Sequence, residues 1–148
     1  MRFEYNFQAW AGRALRAQAG SAAVEFALVV PALLALFAGI VAFGIYLGAS
    51  HNLKHIASEA ARASIAGVSD QERAALARQR VAAALTEGAM FKPGTVMVTV
   101  GPNPQDASLF TVTLTFDAKS LGFSGLSGLI PLPPDLIQST VSVRRGGL

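Results

Sequence analysis

The 148-residue chain contains no cysteine, so disulfide bonds, thiolate metal sites and cysteine nucleophiles are excluded while the redox compartment stays open. Charge is also scarce: 14% of the residues are charged and 52% are hydrophobic, which is too apolar for a disordered chain. The sequence has no Gly-rich phosphate loop, no HExxH motif and no nucleophile–base signature. We therefore predict no enzyme, no cofactor and no small-molecule substrate.

The small excess of positive charge lies at the N-terminus. The formal net charge is +3, and residues 1–20 supply +2 of it through three arginines and one glutamate. Because basic residues before an apolar run favour the cytoplasmic side of a membrane, this excess fits membrane orientation better than nucleic acid binding. We interpret residues 1–20 as an unstructured cytoplasmic leader; the alternative places its aromatic residues among lipid headgroups.

Residues 26–49 contain no charge at all. A helix of this length is about 36 Å long at roughly 1.5 Å per residue, enough to cross about 30 Å of hydrocarbon. Pro31 either bends this helix to help subunits pack or makes a harmless kink. Gly44 and Gly48 match the small-xxx-small pattern of close helix contacts. A conventional signal anchor is the rival interpretation of the run.

Glu25 stands immediately before the apolar run. A carboxylate costs about 2.5–3.5 kcal/mol at the bilayer centre on insertion scales, and less near an edge, so such residues are rare and usually partnered. If the chain were cut after Gly20, the new amine of Ser21 would lie one helical turn from Glu25 on the same face. Two interpretations stay open: Glu25 pairs with such an amine, or it marks the end of the span and reaches water.

The segment GSAAVEF, from Gly20 to Phe26, resembles the prepilin-peptidase site of type IV pilin-like proteins: a glycine, four residues, a glutamate and an aromatic. The wider stretch, about residues 19–66, resembles the TadE-like pseudopilins of tight-adherence (Tad/Flp) pilus systems. The processing motif, the apolar run and an alanine-rich extension occur there in that order.

This resemblance implies cleavage between Gly20 and Ser21 by an aspartic prepilin peptidase, with Glu25 and Phe26 acting in processing or assembly. It implies a minor pilin of the bacterial inner membrane with a periplasmic head, whose partners are the peptidase, the membrane and other pilins of the same pilus. Whether the protein enters the extracellular pilus is left open. The alternative is a bitopic membrane-anchored binding module of the cell envelope with no filament role.

The remaining sequence predicts one small head. Ser69 and Glu72 form a capping-box pattern that opens a second helix over residues 70–87, ending at Gly88. Alternating residues predict strands over 95–100 and 109–116, with a third near 137–144. The predicted fold is α+β: a long transmembrane helix (21–66) after a cleaved leader (1–20), and a head (67–148) with a second helix and a three-stranded antiparallel sheet.

Three further features are interpreted as structural and not as functional sites. Arg73, Arg78 and Arg80 are interpreted as a solvated face of the second helix. The long connection 120–135 is expected to fold back onto the sheet, with an exposed partner-binding patch as the alternative. His51 and His55 are interpreted as solvated residues because no third metal ligand is evident.

Overall fold

The computed structural model describes the backbone of residues 7–87 and 90–145, and the side chains of residues 21–87 and 90–145. The described chain consists of two helices followed by three strands, with two short 3₁₀ turns before the last strand. The elements are α1 (Phe7–Ser64), α2 (Asp70–Thr86), β1 (Val96–Pro102), β2 (Leu109–Asp117), the turns Ala118–Leu121 and Phe123–Leu126, and β3 (Leu136–Arg144). The predicted α+β class is confirmed.

The first helix, α1, is 58 residues long and continues through Pro31. At about 1.5 Å per residue it extends over roughly 86 Å. It begins at Phe7, so the interpretation of the leader as an unstructured tail is wrong for residues 7–20, where alanine, arginine and glutamine favour helix. Residues 1–6 lie outside the described part of the chain. The helix ends at Ser64, two residues before the expected end.

The second helix begins with the predicted capping box. The Ser69 hydroxyl accepts the backbone N–H of Glu72 at 3.2 Å, and the Glu72 carboxylate accepts the N–H of Val68 at 2.9 Å. The return bond thus reaches one residue further back than the standard box, and the pair of bonds satisfies one free N–H of the first helical turn and one N–H of the preceding turn. The helix ends at Thr86 with Glu87 as its C-cap; the predicted stop at Gly88 lies outside the described residues.

The three strands form one antiparallel sheet in the order β1-β2-β3. Val98 is opposite Leu114 in the first pair of strands, and Leu114 is opposite Ser139 in the second. The β2 side chains alternate as predicted, with one face fully buried: Phe110, Val112, Leu114 and Phe116. The other face is polar, and Thr111 and Thr113 each exchange a hydroxyl hydrogen bond with β3. The sheet therefore has one apolar face to cover.

Both helices cover that face. The upper part of α1 contributes a stripe of mostly small buried residues that lets the sheet and α2 approach closely: Ala49, Leu53, Ile56, Ala57, Ala60 and Ala61. From α2, Ala77, Val81 and Leu85 complete the core. Phe91 packs against Phe116 with ring centroids 4.6 Å apart, closing the end of the core. The head is thus built on α1 and not merely attached to it.

The interpretation of the α2 arginines as a solvated face is wrong for two of the three. Arg73 is 6% exposed, and its Nε donates to the carbonyl of Gly67 at 3.0 Å. Arg80 is half-buried and forms an ion pair with Glu59 of α1, with 2.6 Å between Nη2 and Oε2. Arg78 is exposed as expected. The tight turn between the helices explains the difference, because it brings the start of α2 against the end of α1.

Candidate assembly site on the apolar helix

The part of α1 that precedes the head exposes apolar side chains on most of its sides. Val24, Phe26 and Leu28 are 62%, 70% and 74% exposed, and large apolar residues stay exposed as far as Leu47. A helix that is apolar all round is a core helix or a membrane span, and this one has no core around it. In the described part of the chain, Ser21–Ser64 is the one helix long and apolar enough to cross a membrane, by length and composition.

The residues of the processing motif lie at the start of this exposed segment. Gly20 and Ser21 are joined within helical backbone, and every side chain from Ser21 to Val29 is exposed. Ser21 and Glu25 are one helical turn apart on the same face. No cation comes within ion-pair distance of the Glu25 carboxylate among the side chains of 21–87 and 90–145. A positive charge created at Ser21 would therefore be available to it.

The predicted helix-packing residues have different surroundings. Pro31 is exposed and lacks the N–H that would bond to the Ala27 carbonyl. A side chain built on Gly44 would meet no atom within 4 Å, so this position is open to another helix. The same construction at Gly48 meets the Met90 side chain at 3.6 Å, so the head of the same chain occupies part of that surface. The packing role of all three residues stays a prediction.

The connection between β2 and β3 reaches the apolar helix. We call residues 120–134 the apolar loop, because these 15 residues carry no charge. Its Ile130 and Pro131 face Ala35, Gly39 and Phe43 of α1 across an apolar groove of about 420 Å³. Leu121 packs on the core and Pro133 is buried, but Leu129 is 73% exposed. The expectation that this connection folds back onto the sheet is therefore wrong for its tip, which lies along the helix.

Small residues, beside larger ones such as Phe43, form part of the helix face that the apolar loop meets. Ala35, Ala38 and Gly39 are half-buried, and Ala42 is 1% exposed, although their neighbours around the helix are open. Their spacing of three and four residues places them on one face, and their size lets the loop approach the backbone. The spacing of these small residues is visible in the sequence. Small residues are common in membrane helices, however, so the spacing does not identify the apolar loop as the segment that contacts them.

Both histidines lie on the exposed surface of α1. His51 is exposed, and His55 lies 3.7 Å from Glu59, as expected for a weak pair on the helix surface. Within 21–87 and 90–145, no three residues of the His, Cys, Asp and Glu types come together as metal ligands. Glu59 is instead engaged by Arg80, so this polar cluster ties α2 to α1.

The apolar helix and its motif can now be compared with known proteins. Residues 20–62 match the family model of the TadE-like proteins. The TadE-like match begins at the predicted cleavage site and ends two residues before the end of α1. It covers 43 of the 148 residues, so the resemblance inferred from the motif is confirmed for this segment, and α2 and the sheet lie outside it. No curated protein and no solved structure gives a significant match.

Proposed function

We propose that this protein is a minor pilin of a Tad/Flp pilus that is processed between Gly20 and Ser21 and takes part in assembling or priming the filament. The observation that carries the proposal is the TadE-like match over 20–62, which includes the part of α1 before the head where large apolar side chains are exposed. In this function the span first anchors the chain in the inner membrane. It then packs with the helices of other pilins, while the head stays on the periplasmic side.

The chemistry of assembly centres on Glu25. Cleavage converts the Ser21 nitrogen into an ammonium group one turn from the carboxylate, within the chain or on a neighbouring subunit. Opposite charges attract far more strongly in a low-dielectric surrounding than in water, and an unpaired carboxylate there is costly. The pair therefore favours the processed form in a helix bundle and fixes the axial register between subunits.

Processing is tested by co-expressing the full chain with a prepilin peptidase and measuring the mature N-terminus by mass spectrometry. We expect a chain that begins at Ser21. Gly20→Val places a branched side chain at the scissile bond and should retain residues 1–20. Gly12→Val makes the same change at the other glycine of the leader and should leave cleavage intact. A cut near Ala49, or an uncut chain, would contradict the proposal and favour a signal peptide or a simple anchor.

Assembly is tested separately with Glu25→Gln, which removes the charge but keeps the size. We expect a stable, membrane-inserted protein that no longer supports piliation. Glu87→Gln makes the same change at an acid of the head that is 69% exposed, and it should have no effect. Normal piliation by Glu25→Gln would favour the membrane-anchored binding module, in which the head functions without a filament.

A further inference from the structure

We propose that the tip of the apolar loop inserts into the outer leaflet of the membrane, where lipid acyl chains cover the exposed side chain of Leu129. The inference rests on the membrane insertion of α1 proposed above. It gives the head a second membrane contact, separate from the span and formed by residues outside the TadE-like match.

The depth of the loop follows from its position along the helix. The groove that it forms with α1 lies between Ala35 and Phe43. These residues are about 15 to 27 Å from Glu25 along the helix axis at roughly 1.5 Å per residue. The hydrocarbon core is about 30 Å thick, so with Glu25 at the inner boundary the loop tip lies below the outer boundary. For the loop tip to lie in water, the whole span would have to be displaced toward the periplasmic side of the membrane.

The composition of the loop suits that position. It contains no charge, and Leu129 at its tip is 73% exposed. The nearest charges, Lys119 and Asp135, stand at the two ends of the loop and pair with each other at 3.2 Å. The backbone N–H of Ala118 also donates to the Asp135 carbonyl at 2.7 Å, closing the base of the loop. A polar base and an uncharged tip match the boundary between headgroups and acyl chains.

The backbone of the tip is also adapted to an apolar solvent, in which an unpaired N–H costs several kcal/mol. The four consecutive N–H groups of residues 127–130 all donate to carbonyls inside the loop, at Ser124 and Leu126. Three of the next four residues are prolines, at 131, 133 and 134, and have no N–H to satisfy. The tip thus offers few free backbone donors, a property that a water-exposed loop does not need.

The test places single tryptophans in a Trp10→Phe background, which contains no other tryptophan. Leu129→Trp reports on the tip, and Ser127→Trp is a second tip reporter should the first fail to fold. Phe37→Trp, at a position 58% exposed on the span, reports on the anchor. Val68→Trp, at a 90% exposed position in the turn after α1, is the matched control on the far end of the head. Each full-length variant is reconstituted in phosphatidylcholine vesicles with or without brominated acyl chains.

We expect the tip reporters to show blue-shifted emission and a loss of intensity in brominated vesicles comparable with that of Phe37→Trp, while Val68→Trp is unaffected. Quenching of Phe37→Trp without quenching at the tip would overturn the loop inference and leave the anchor intact. In that case, blue-shifted tip emission would indicate coverage by protein, and unshifted emission would indicate water. No quenching at Phe37→Trp would reject the anchor itself, so the two failures are distinguishable.

Discussion

The lower part of α1, residues 21–41, and its upper part, residues 42–64, belong to one continuous helix but have opposite surroundings. In the lower part, large apolar residues are exposed on most sides of the axis, as at Leu34 with 62% exposure. In the upper part, one face is almost completely buried, as at Leu53 with 0% exposure, and after Leu47 the opposite face is polar. The apolar side chains of the upper part are thus covered by the rest of the same chain, whereas those of the lower part need lipid or other helices to cover them.

The largest expected difference between the two parts comes from the same substitution made in each. Leu53→Ala leaves a cavity in the core and should destabilise the head by about 2–5 kcal/mol. Leu34→Ala removes a side chain that has no core around it and should leave the head unchanged. Hydrogen exchange of the β2 amides in detergent micelles measures both, because it reports the free energy of opening the core. Equal exchange rates in the two variants would contradict the conclusion that the core of the head depends on the upper part of α1 and not on the lower part.

A second prediction concerns the turn that ends the upper part. A Cβ on Gly67 would lie 2.6 Å from the backbone nitrogen of Arg73 and 2.8 Å from its Cγ. Gly67→Ala therefore forces the start of α2 away from α1, and we expect a loss of about 1–3 kcal/mol, as for overpacking elsewhere. Gly101→Ala adds the same methyl group where no atom lies within 4 Å and serves as the control. Unfolding by urea in micelles, followed by near-ultraviolet circular dichroism, measures the difference.

The third prediction concerns the start of α2, the helix that packs on the upper part of α1 only. Ser69→Ala removes the acceptor for the Glu72 N–H and should cost about 1 kcal/mol. Ser58→Ala, on α1, removes a hydroxyl that donates to a carbonyl already bonded within the helix, and it should be close to neutral. A destabilisation by Ser58→Ala as large as that by Ser69→Ala would show that the cap has no special contribution. The same urea titration provides both values.

The smallest effect is expected in the hairpin turn, far from either part of α1. Hydrogen bonds from the Ser108 hydroxyl and then from its backbone N–H lower the pKa of Asp106 below its ordinary value of 3.8, and Arg144 lowers it further. A lowered pKa in the folded state stabilises the fold above pH 3.8, and this contribution is lost as the pH falls through the folded-state pKa.

Ser108→Ala should therefore raise the pKa of Asp106 toward 3.8, while Ser124→Ala should not change it. A titration of the Asp106 carboxyl carbon by NMR measures the shift directly. An unchanged pKa in Ser108→Ala would assign the lowering to the backbone N–H of residue 108 and the charge of Arg144, and not to the hydroxyl.

Much of this architecture could be predicted from local patterns. The alternation in β2 and the Ser69–Glu72 box are determined by neighbouring residues, and both were identified with nearly correct bounds. The exposed lower part of α1 follows from the absence of charge over 26–49, and the processing motif could be identified from its spacing. These features depend on short-range chemistry, which a sequence displays directly.

The errors lie where distant residues meet. Arg73 was assigned to the solvated face because arginine is usually exposed, although its spacing of four from Ala77 and Val81 places it on the buried stripe. Its guanidinium group can be buried because it donates a hydrogen bond to the Gly67 carbonyl. The two groups come together only when the turn between the helices has folded. The sequence also favours folding of the 120–135 connection onto the sheet, whereas its contact with α1 depends on how far the head extends down the helix, which local patterns do not show.

The continuity of α1 from the span into the core has a mechanical consequence. Because α1 is helical without a break from the lower part to the buried stripe at Ala49, the span and the sheet must move together. A shift of the span along its axis, or a rotation about it, therefore moves the sheet by the same amount. Drawing the helix outward by one turn would raise the head by about 5.4 Å and pull the tip of the apolar loop toward the headgroups. If the span and the loop tip both lie in the bilayer as proposed, they would resist extraction together and leave the bilayer together.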